Sequence, residues 1–186
     1  MPTRKSIDEL LVAADALFQT NANGQITATA LRTYLEDFVE TMKPAYAAMT
    51  IGTTPLAQAL TTIYAPMVFT DISDANSPEY AAYPATGQIV RDLESLNRLT
   101  FNVDLYVGTN RQVDFALFRD GVITPWAFSL QGNGNANPQS GGFTGITYTS
   151  TPGAVFELRV KADADVSVSF ANTVMIMENI PVRHWF

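Results

Sequence analysis

The chain has 186 residues, of which 47% are hydrophobic and 16% are charged, a composition typical of a globular protein with a sizeable core. Its formal net charge of -7 argues against a nucleic-acid or anionic-membrane partner, because both need clustered lysine and arginine. The chain has no cysteine, which excludes disulfides, thiolate metal sites and cysteine nucleophiles. No stretch approaches the roughly 18 apolar residues of a transmembrane helix, so we expect no membrane span.

Two amphipathic helices are predicted within residues 1–43, where apolar residues recur every three or four positions. Either Thr27 or Thr29 can cap the start of the second helix with its hydroxyl oxygen. Helices this short cannot bury both apolar faces in a core of their own. We therefore expect their apolar faces to meet either a partner surface or the β domain. As an anchor module, the helices would dock on a partner through Leu10, Leu17, Phe18, Leu31, Leu35 and Phe38.

The segment between the helices, QTNANGQITATA, has the outline of a calcium-binding EF-hand loop. With Gly24 at the sixth position of such a loop, the first, third and fifth positions hold only the amides of Gln19, Asn21 and Asn23. The twelfth position, where an EF-hand places a bidentate glutamate, is Ala30. Amides alone hold a hard dication poorly, so the sequence predicts a turn between two helices and no calcium site.

The remainder of the chain is predicted to be a linker, residues 44–61, followed by a β domain, residues 62–186. The β domain has runs that alternate apolar and polar residues, such as FNVDLYV, and these are rich in β-branched and aromatic side chains. Hairpin turns are predicted at Asp120-Gly121, Asn110-Arg111 and Pro152-Gly153. About eight short strands without intervening helices indicate an antiparallel sandwich or barrel.

One long segment, Gln131 to Gly142, interrupts the strand pattern with the sequence QGNGNANPQSGG. A loop of this length and composition is usually exposed and often functional. It is therefore the candidate for an exposed binding loop, with Gln131, Asn133, Asn135 and Asn137 and the nearby Trp126 as its contact residues. Trp126 could instead fill the core of the sandwich or a subunit interface.

The sequence lacks the residue combinations on which most enzymes depend. Its single histidine, His184, has no predicted acid or nucleophile beside it, and no nucleophile elbow, Walker loop or His-Glu-x-x-His motif is present. Asp71, Asp74 and Glu79 cluster in DISDANSPE, where they could hold a cation or simply form turns. We predict no enzymatic activity, no catalytic or metal site and no cofactor, and expect a structural or binding protein.

Two stretches carry a resemblance to known proteins. The run TFNVDLYVGTNRQVDFALFRDGVITP, followed after the loop by GITYTSTPGAVFELRVKADADVSVSFANTVMIMENI, resembles the trimeric jelly-roll domain of the tumour-necrosis-factor and complement globular-head type. Such domains are also found at the ends of bacteriophage fibres and in capsid decorations. The N-terminal part, with its Gly24-x-Ile26-Thr27 turn, is similar to a short helical module of phage head-fibre and tail-fibre proteins.

The resemblance implies a mainly β chain, an antiparallel jelly-roll sandwich preceded by a small N-terminal helical hairpin. It implies a virion structural protein on the capsid surface: a capsid decoration (cement or head-fibre) protein that forms a homotrimer and binds the major capsid protein. The chain has no long shaft or coiled-coil heptad between its two parts, which favours a decoration protein over a long fibre. The alternative is a receptor-binding tail-fibre tip, whose loop would contact a host-surface glycan.

Overall fold

The computed structural model describes residues 7–19, 26–42, 45–75, 80–92, 95–134, 137–149 and 151–180. The chain divides into two compact units, Met1–Pro44 and Ala45–Phe186. We refer to them as the helical unit and the β unit.

The helical unit contains α1 (Ile7–Gln19) and α2 (Ala28–Met42), which confirms the two predicted helices. Thr27, not Thr29, caps α2, because its hydroxyl oxygen accepts the Ala30 N–H at 3.1 Å. The carbonyl oxygen of Thr27 also accepts the Leu31 N–H, the first bond of the helix. The EF-hand-like turn, residues 20–25, lies outside the described residues.

The β unit is built from strands that the chain enters and leaves by short connections. In chain order, the described strands are β1 (Tyr46–Ile51), β2 (Leu56–Leu60), β3 (Ala65–Pro66), β4 (Asp71–Ala75), β5 (Tyr80–Tyr83), β6 (Gln88–Arg91), β7 (Ser95–Tyr106), β8 (Gln112–Arg119), β9 (Val122–Gln131), β10 (Gln139–Thr149), β11 (Ala154–Ala162) and β12 (Val166–Ile180).

These strands form two antiparallel sheets. Sheet A has the order β10-β7-β12-β1-β4, with β2 also paired to β12. Sheet B has the order β5-β6-β11-β8-β9, with β3 also paired to β11. From β7 onward the chain passes repeatedly from one sheet to the other, as a jelly roll requires. The predicted fold class, an antiparallel jelly-roll sandwich after a small helical hairpin, is confirmed.

The core between the sheets is strongly aromatic, because alternate residues of the long strands point inward from both sides. Phe115 and Phe128 of sheet B stack with their ring centroids 4.8 Å apart. Phe101 of sheet A lies 5.6 Å from Phe115, and Phe143 lies 5.8 Å from Phe101. This cluster holds the two sheets together near the β9 and β10 edges.

The sequence predicts a linker at residues 44–61. This prediction is wrong, because the segment contains β1 and β2. β1 pairs with β12 from Tyr46↔Glu178 to Ile51↔Thr173, well inside sheet A. The small side chains that suggested a linker fit a strand packed between neighbours. Ala47, Ala48 and Met49 are all buried, so β1 does not alternate between buried and exposed residues as a strand with one exposed face does.

The predicted turns lie where expected, but only one of the three is a hairpin. Asp120 and Gly121, both at positive φ, join β8 to β9 within sheet B, where Arg119 pairs with Val122. Asn110-Arg111 connects β7 of sheet A to β8 of sheet B, and Pro152-Gly153 connects β10 of sheet A to β11 of sheet B. A turn sequence reports that the chain reverses, but not which sheet it enters next.

Candidate functional site

The outer face of sheet A, which points away from the core, carries apolar side chains at one end. Ile146 and Tyr148 of β10 are 55% and 44% exposed. The register places Leu96 of β7 between Tyr148 and Ile180 of β12, and Ile176 lies on the same face of β12. We refer to Leu96, Ile146, Tyr148, Ile176 and Ile180 as the apolar patch.

An ion pair crosses this patch. Arg98 of β7 and Glu178 of β12 are paired in the ladder and joined by a hydrogen bond from Nε to Oε1. That hydrogen bond, together with the charge of Glu178, raises the pKa of Arg98. The patch is therefore apolar with a neutralised centre, a composition that suits contact with another protein surface.

The neighbouring edge strand, β10, lacks the features that usually protect a sheet edge. All eleven of its residues pair with β7 without a register shift, and no strand of the described chain pairs with its other side. Its sequence, QSGGFTGITYT, has no charge and no proline. An edge this long and regular is a template for association unless something covers it.

The other terminal strands of the two sheets are protected. β9 contains Pro125 and pairs irregularly with β8 between Ala116 and Phe118. β4 carries Asp71 and pairs irregularly with β1, and β5 is only four residues long. The contrast singles out β10. Sequence reasoning missed it because its glycines resembled a loop, although the absence of charge from 139 to 149 was a readable signal.

The predicted docking residues of the helices are mostly exposed within the structure. Leu10 is an exception, being 5% exposed, and Leu17 is partly buried. The exposed ones are Phe18, Leu31, Leu35 and Phe38. Three further exposed apolar residues, which the sequence-based set omitted, are Leu11, Val12 and Val39. Both helices therefore present apolar surface that the described residues of the helical unit leave exposed.

The predicted binding loop is shorter than expected. Gln131 is the last residue of β9, and Gln139 to Gly142 belong to β10, so only residues 132–138 connect the strands. Asn133 and Asn137 are exposed in this connection, and Asn135 lies outside the described residues. Glycine and serine hid the start of β10, which is fixed by its pairing with β7 and not by its own propensity.

Trp126 does not belong to an exposed binding loop either. It lies on β9, is partly buried and packs against the core. Its indole ring covers Gly145 on β10. The side chain therefore has a packing role across the edge of the sandwich.

The outer face of sheet B carries a polar cluster around Asp114. The Asp114 carboxylate accepts hydrogen bonds from Ser129 Oγ at 2.6 Å and Gln112 Nε2 at 2.7 Å, and Lys161 Nζ lies 3.6 Å away. Partial burial opposes ionisation of Asp114, but these hydrogen bonds and the Lys161 charge outweigh it and lower its pKa. Partial burial raises the pKa of Tyr64, whose ring lies 4.8 Å from Lys161 Nζ.

The described residues offer little for catalysis or metal binding. They contain no group of three or more histidine, cysteine, aspartate or glutamate side chains that could hold a metal ion. His184, Glu79 and the side chain of Asp74 lie outside the described part of the chain. Within the part that is described, neither helix is long and apolar enough to span a membrane.

No family model matches the chain, and no curated protein matches it. Solved structures do match. The globular domain of zebrafish complement 1qA covers 76% of this chain and 100% of its own length, with a TM-score of 0.53 and 10% identity. The structure of murine APRIL covers 74% of this chain and 100% of its own length, with a TM-score of 0.53 and 9% identity. Eiger TNF from S. frugiperda covers 76% of this chain and 95% of its own length, with a TM-score of 0.54 and 12% identity. These similarities establish the fold: the chain has a jelly roll of the tumour-necrosis-factor and C1q type, as its sequence suggested.

Proposed function

We propose that the protein is a virion structural protein: a capsid decoration protein, of the cement or head-fibre type, that binds the major capsid protein as a homotrimer on the capsid surface. The similarity of the N-terminal sequence to phage helical modules supports this assignment. So does the presence of exposed apolar side chains in each of the two units. A decoration protein needs one surface for its own copies and another for the shell.

The unprotected edge of β10 is the observation that supports self-association most directly. The edge and the apolar patch belong to the same sheet but point in different directions, so one copy cannot cover its own patch. The edge of one copy can instead pack on the patch of the next. Such a contact is heterologous, and it closes into a ring when the rotation between copies permits. The resemblance to trimeric jelly rolls sets the number of copies in this proposal at three.

The helical unit provides the surface for the capsid. Leu35 and Phe38 on α2 are 50% and 42% exposed, and Phe18 on α1 is 58% exposed. These side chains would be buried against the major capsid protein. Burying apolar surface stabilises such a complex by about 25 cal/mol for each Å² removed from water.

The activity proposed is binding alone. A typical stable interface buries on the order of 1,600 Å². Three helical units on one trimer would bind neighbouring capsid subunits together, and linked binding of this kind strengthens attachment without new types of contact. Bridged subunits are then harder to separate under internal pressure.

Particle binding tests the proposal. We expect the full-length protein to co-sediment with undecorated capsids of its own virus. The Leu35→Asp, Phe38→Asp double variant should fail to bind while it stays folded and trimeric, because both positions lie on the exposed surface of α2. Thr33→Asp, at an exposed polar position of the same helix, is the matched control and should bind normally. Full occupancy of the capsids by the double variant would contradict the proposal that the helical unit binds the capsid. Adsorption of the wild type to host cells, without capsid binding, would favour the receptor-tip alternative.

A further inference from the structure

The outer face of sheet A changes character along its length. Beyond the apolar patch, the hydroxyl groups of Thr100 and Thr144 face each other at 3.3 Å. Past them the face opens into a shallow pocket of about 500 Å³. Its polar lining side chains come from three strands: Asn102 and Asp104 on β7, Ser140 and Thr144 on β10, and Asn172 on β12. We refer to this depression as the polar pocket.

The carboxylate of Asp104 is held in a fixed orientation at the centre of the polar pocket. Ser140 Oγ donates to its Oδ1 at 2.6 Å, and Asn172 Nδ2 donates to its Oδ2 at 2.9 Å. A carboxylate can accept about four hydrogen bonds, so each oxygen keeps a free lone pair. Asn172 reaches this position from a bulge in β12, where its φ is 44°.

The side chain of Asn102 stands beside Asp104 without a hydrogen-bond partner among the described residues, and it is exposed. The floor of the polar pocket next to Asn102 stays open because Gly142 has no side chain. A Cβ at that position would collide with the Phe101 carbonyl oxygen and lie 2.6 Å from Asn102 Oδ1. The pocket therefore presents an uncommitted amide, with two donors and an acceptor, next to an acceptor carboxylate.

This set of groups narrows the ligand chemistry. Among the described residues, no lysine or arginine lines the pocket and its one charge is negative, so an anionic ligand is disfavoured. A calcium ion needs six to eight oxygen ligands, usually with several carboxylates, and within the described ranges Asp104 is the one carboxylate that lines the pocket. A purely apolar ligand would leave Asn102 and Asp104 desolvated without partners. A ligand with adjacent hydroxyl groups can satisfy both side chains, because each hydroxyl both donates and accepts hydrogen bonds.

We propose that the polar pocket binds a neutral carbohydrate through hydroxyl groups that contact Asp104 and Asn102. Asp104 accepts hydrogen bonds from the sugar, Asn102 donates and accepts, and Ser140 and Asn172 hold Asp104 in place. The proposal does not depend on the capsid assignment. A second copy of the chain, whose edge could reach this face, is the competing occupant.

Saturation-transfer NMR on the full-length protein tests for the sugar, with the methyl glycosides of glucose, galactose, mannose and N-acetylglucosamine as probes. At least one glycoside should receive saturation from the wild-type protein. Asp104→Asn and Asn102→Leu should each weaken its binding by roughly tenfold or more, because each removes hydrogen bonds to the ligand. Asn102→Leu breaks no hydrogen bond among the described residues, so it separates ligand binding from folding.

Asp163→Asn is the matched control for charge. Its carboxylate is exposed between β11 and β12, outside the pocket, and the variant should bind the glycoside as the wild type does. The proposal is overturned if no glycoside receives saturation, or if neither pocket variant weakens binding. It is also overturned if both pocket variants change the sedimentation coefficient, since the pocket would then be filled by a second copy.

Discussion

Trp126 of β9 lies directly over Gly145 of β10, and this contact joins the two sheets beside the open edge of the sandwich. A Cβ on Gly145 would collide with the indole ring and lie 2.7 Å from its Cδ1 atom. β9 belongs to sheet B and β10 to sheet A. The missing side chain at 145 therefore makes room for a ring that closes the sandwich.

Gly145→Ala should destabilise the fold by about 1–3 kcal/mol, because the added methyl group overpacks a closed contact. Urea unfolding should show a lower midpoint with an unchanged slope. Gly108→Ala is the control, since a Cβ at 108 would meet no atom within 4 Å. Equal midpoints for the two variants would show that Trp126 moves aside at little cost.

Trp126 also illustrates what the sequence could and could not predict. Alternation located β7, because its apolar residues from Leu99 to Leu105 are buried and the residues between them are not. It could not show that Trp126 faces a glycine on the other sheet, because the pairing of distant strands is not encoded in a local period. The segment 121–130 is predicted as a strand, but Trp126 itself is grouped with the candidate binding loop.

The corrected start of the β unit gives a test of domain boundaries. A fragment of residues 45–186 should fold, because Ala45 begins the compact β unit. A fragment of residues 61–186 should not, because it lacks β1, which pairs with both β12 and β4, and also β2. Circular dichroism and urea unfolding compare the two. A cooperative transition for the shorter fragment would mean that β1 is dispensable.

The self-association surface was hidden from sequence reasoning for a related reason. The helical docking residues were found because a 3.6-residue period is visible within one helix. The apolar patch draws on β7, β10 and β12, and its members are adjacent only through the ladder. β10 itself looked like a loop in its first half, where Gly141 and Gly142 are held extended by β7.

Ile146→Lys should convert the proposed trimer to a monomer without unfolding it. Ile146 is 55% exposed in the single chain, so lysine is tolerated there, but burial in an interface would leave its charge unpaired. Sedimentation velocity measures the change in mass. Ile63→Lys, at a position 74% exposed between β2 and β3, is the control and should remain trimeric. A trimer that tolerates Ile146→Lys would exclude the apolar patch from the interface.

The stability of the β unit should depend on the ionisation of Asp114. Its pKa in the folded protein lies below the ordinary value of 3.8, so the charged form contributes stability at neutral pH. That contribution is complete above the unfolded-state pKa and is lost as pH falls through the folded-state pKa.

Asp114→Asn should therefore lower the unfolding free energy by at most about 1 kcal/mol at pH 7, since solvent screens the Lys161 pair. Urea unfolding at a series of pH values should show the difference shrinking as the medium becomes more acidic than the ordinary pKa. Asp163→Asn, at a more exposed carboxylate 3.9 Å from Arg111, is the control and should have nearly the same unfolding free energy as the wild type at pH 7. If the unfolding free energies of the wild type and Asp114→Asn still differ in strong acid, the lower stability of the variant results from changed packing and not from the lost charge.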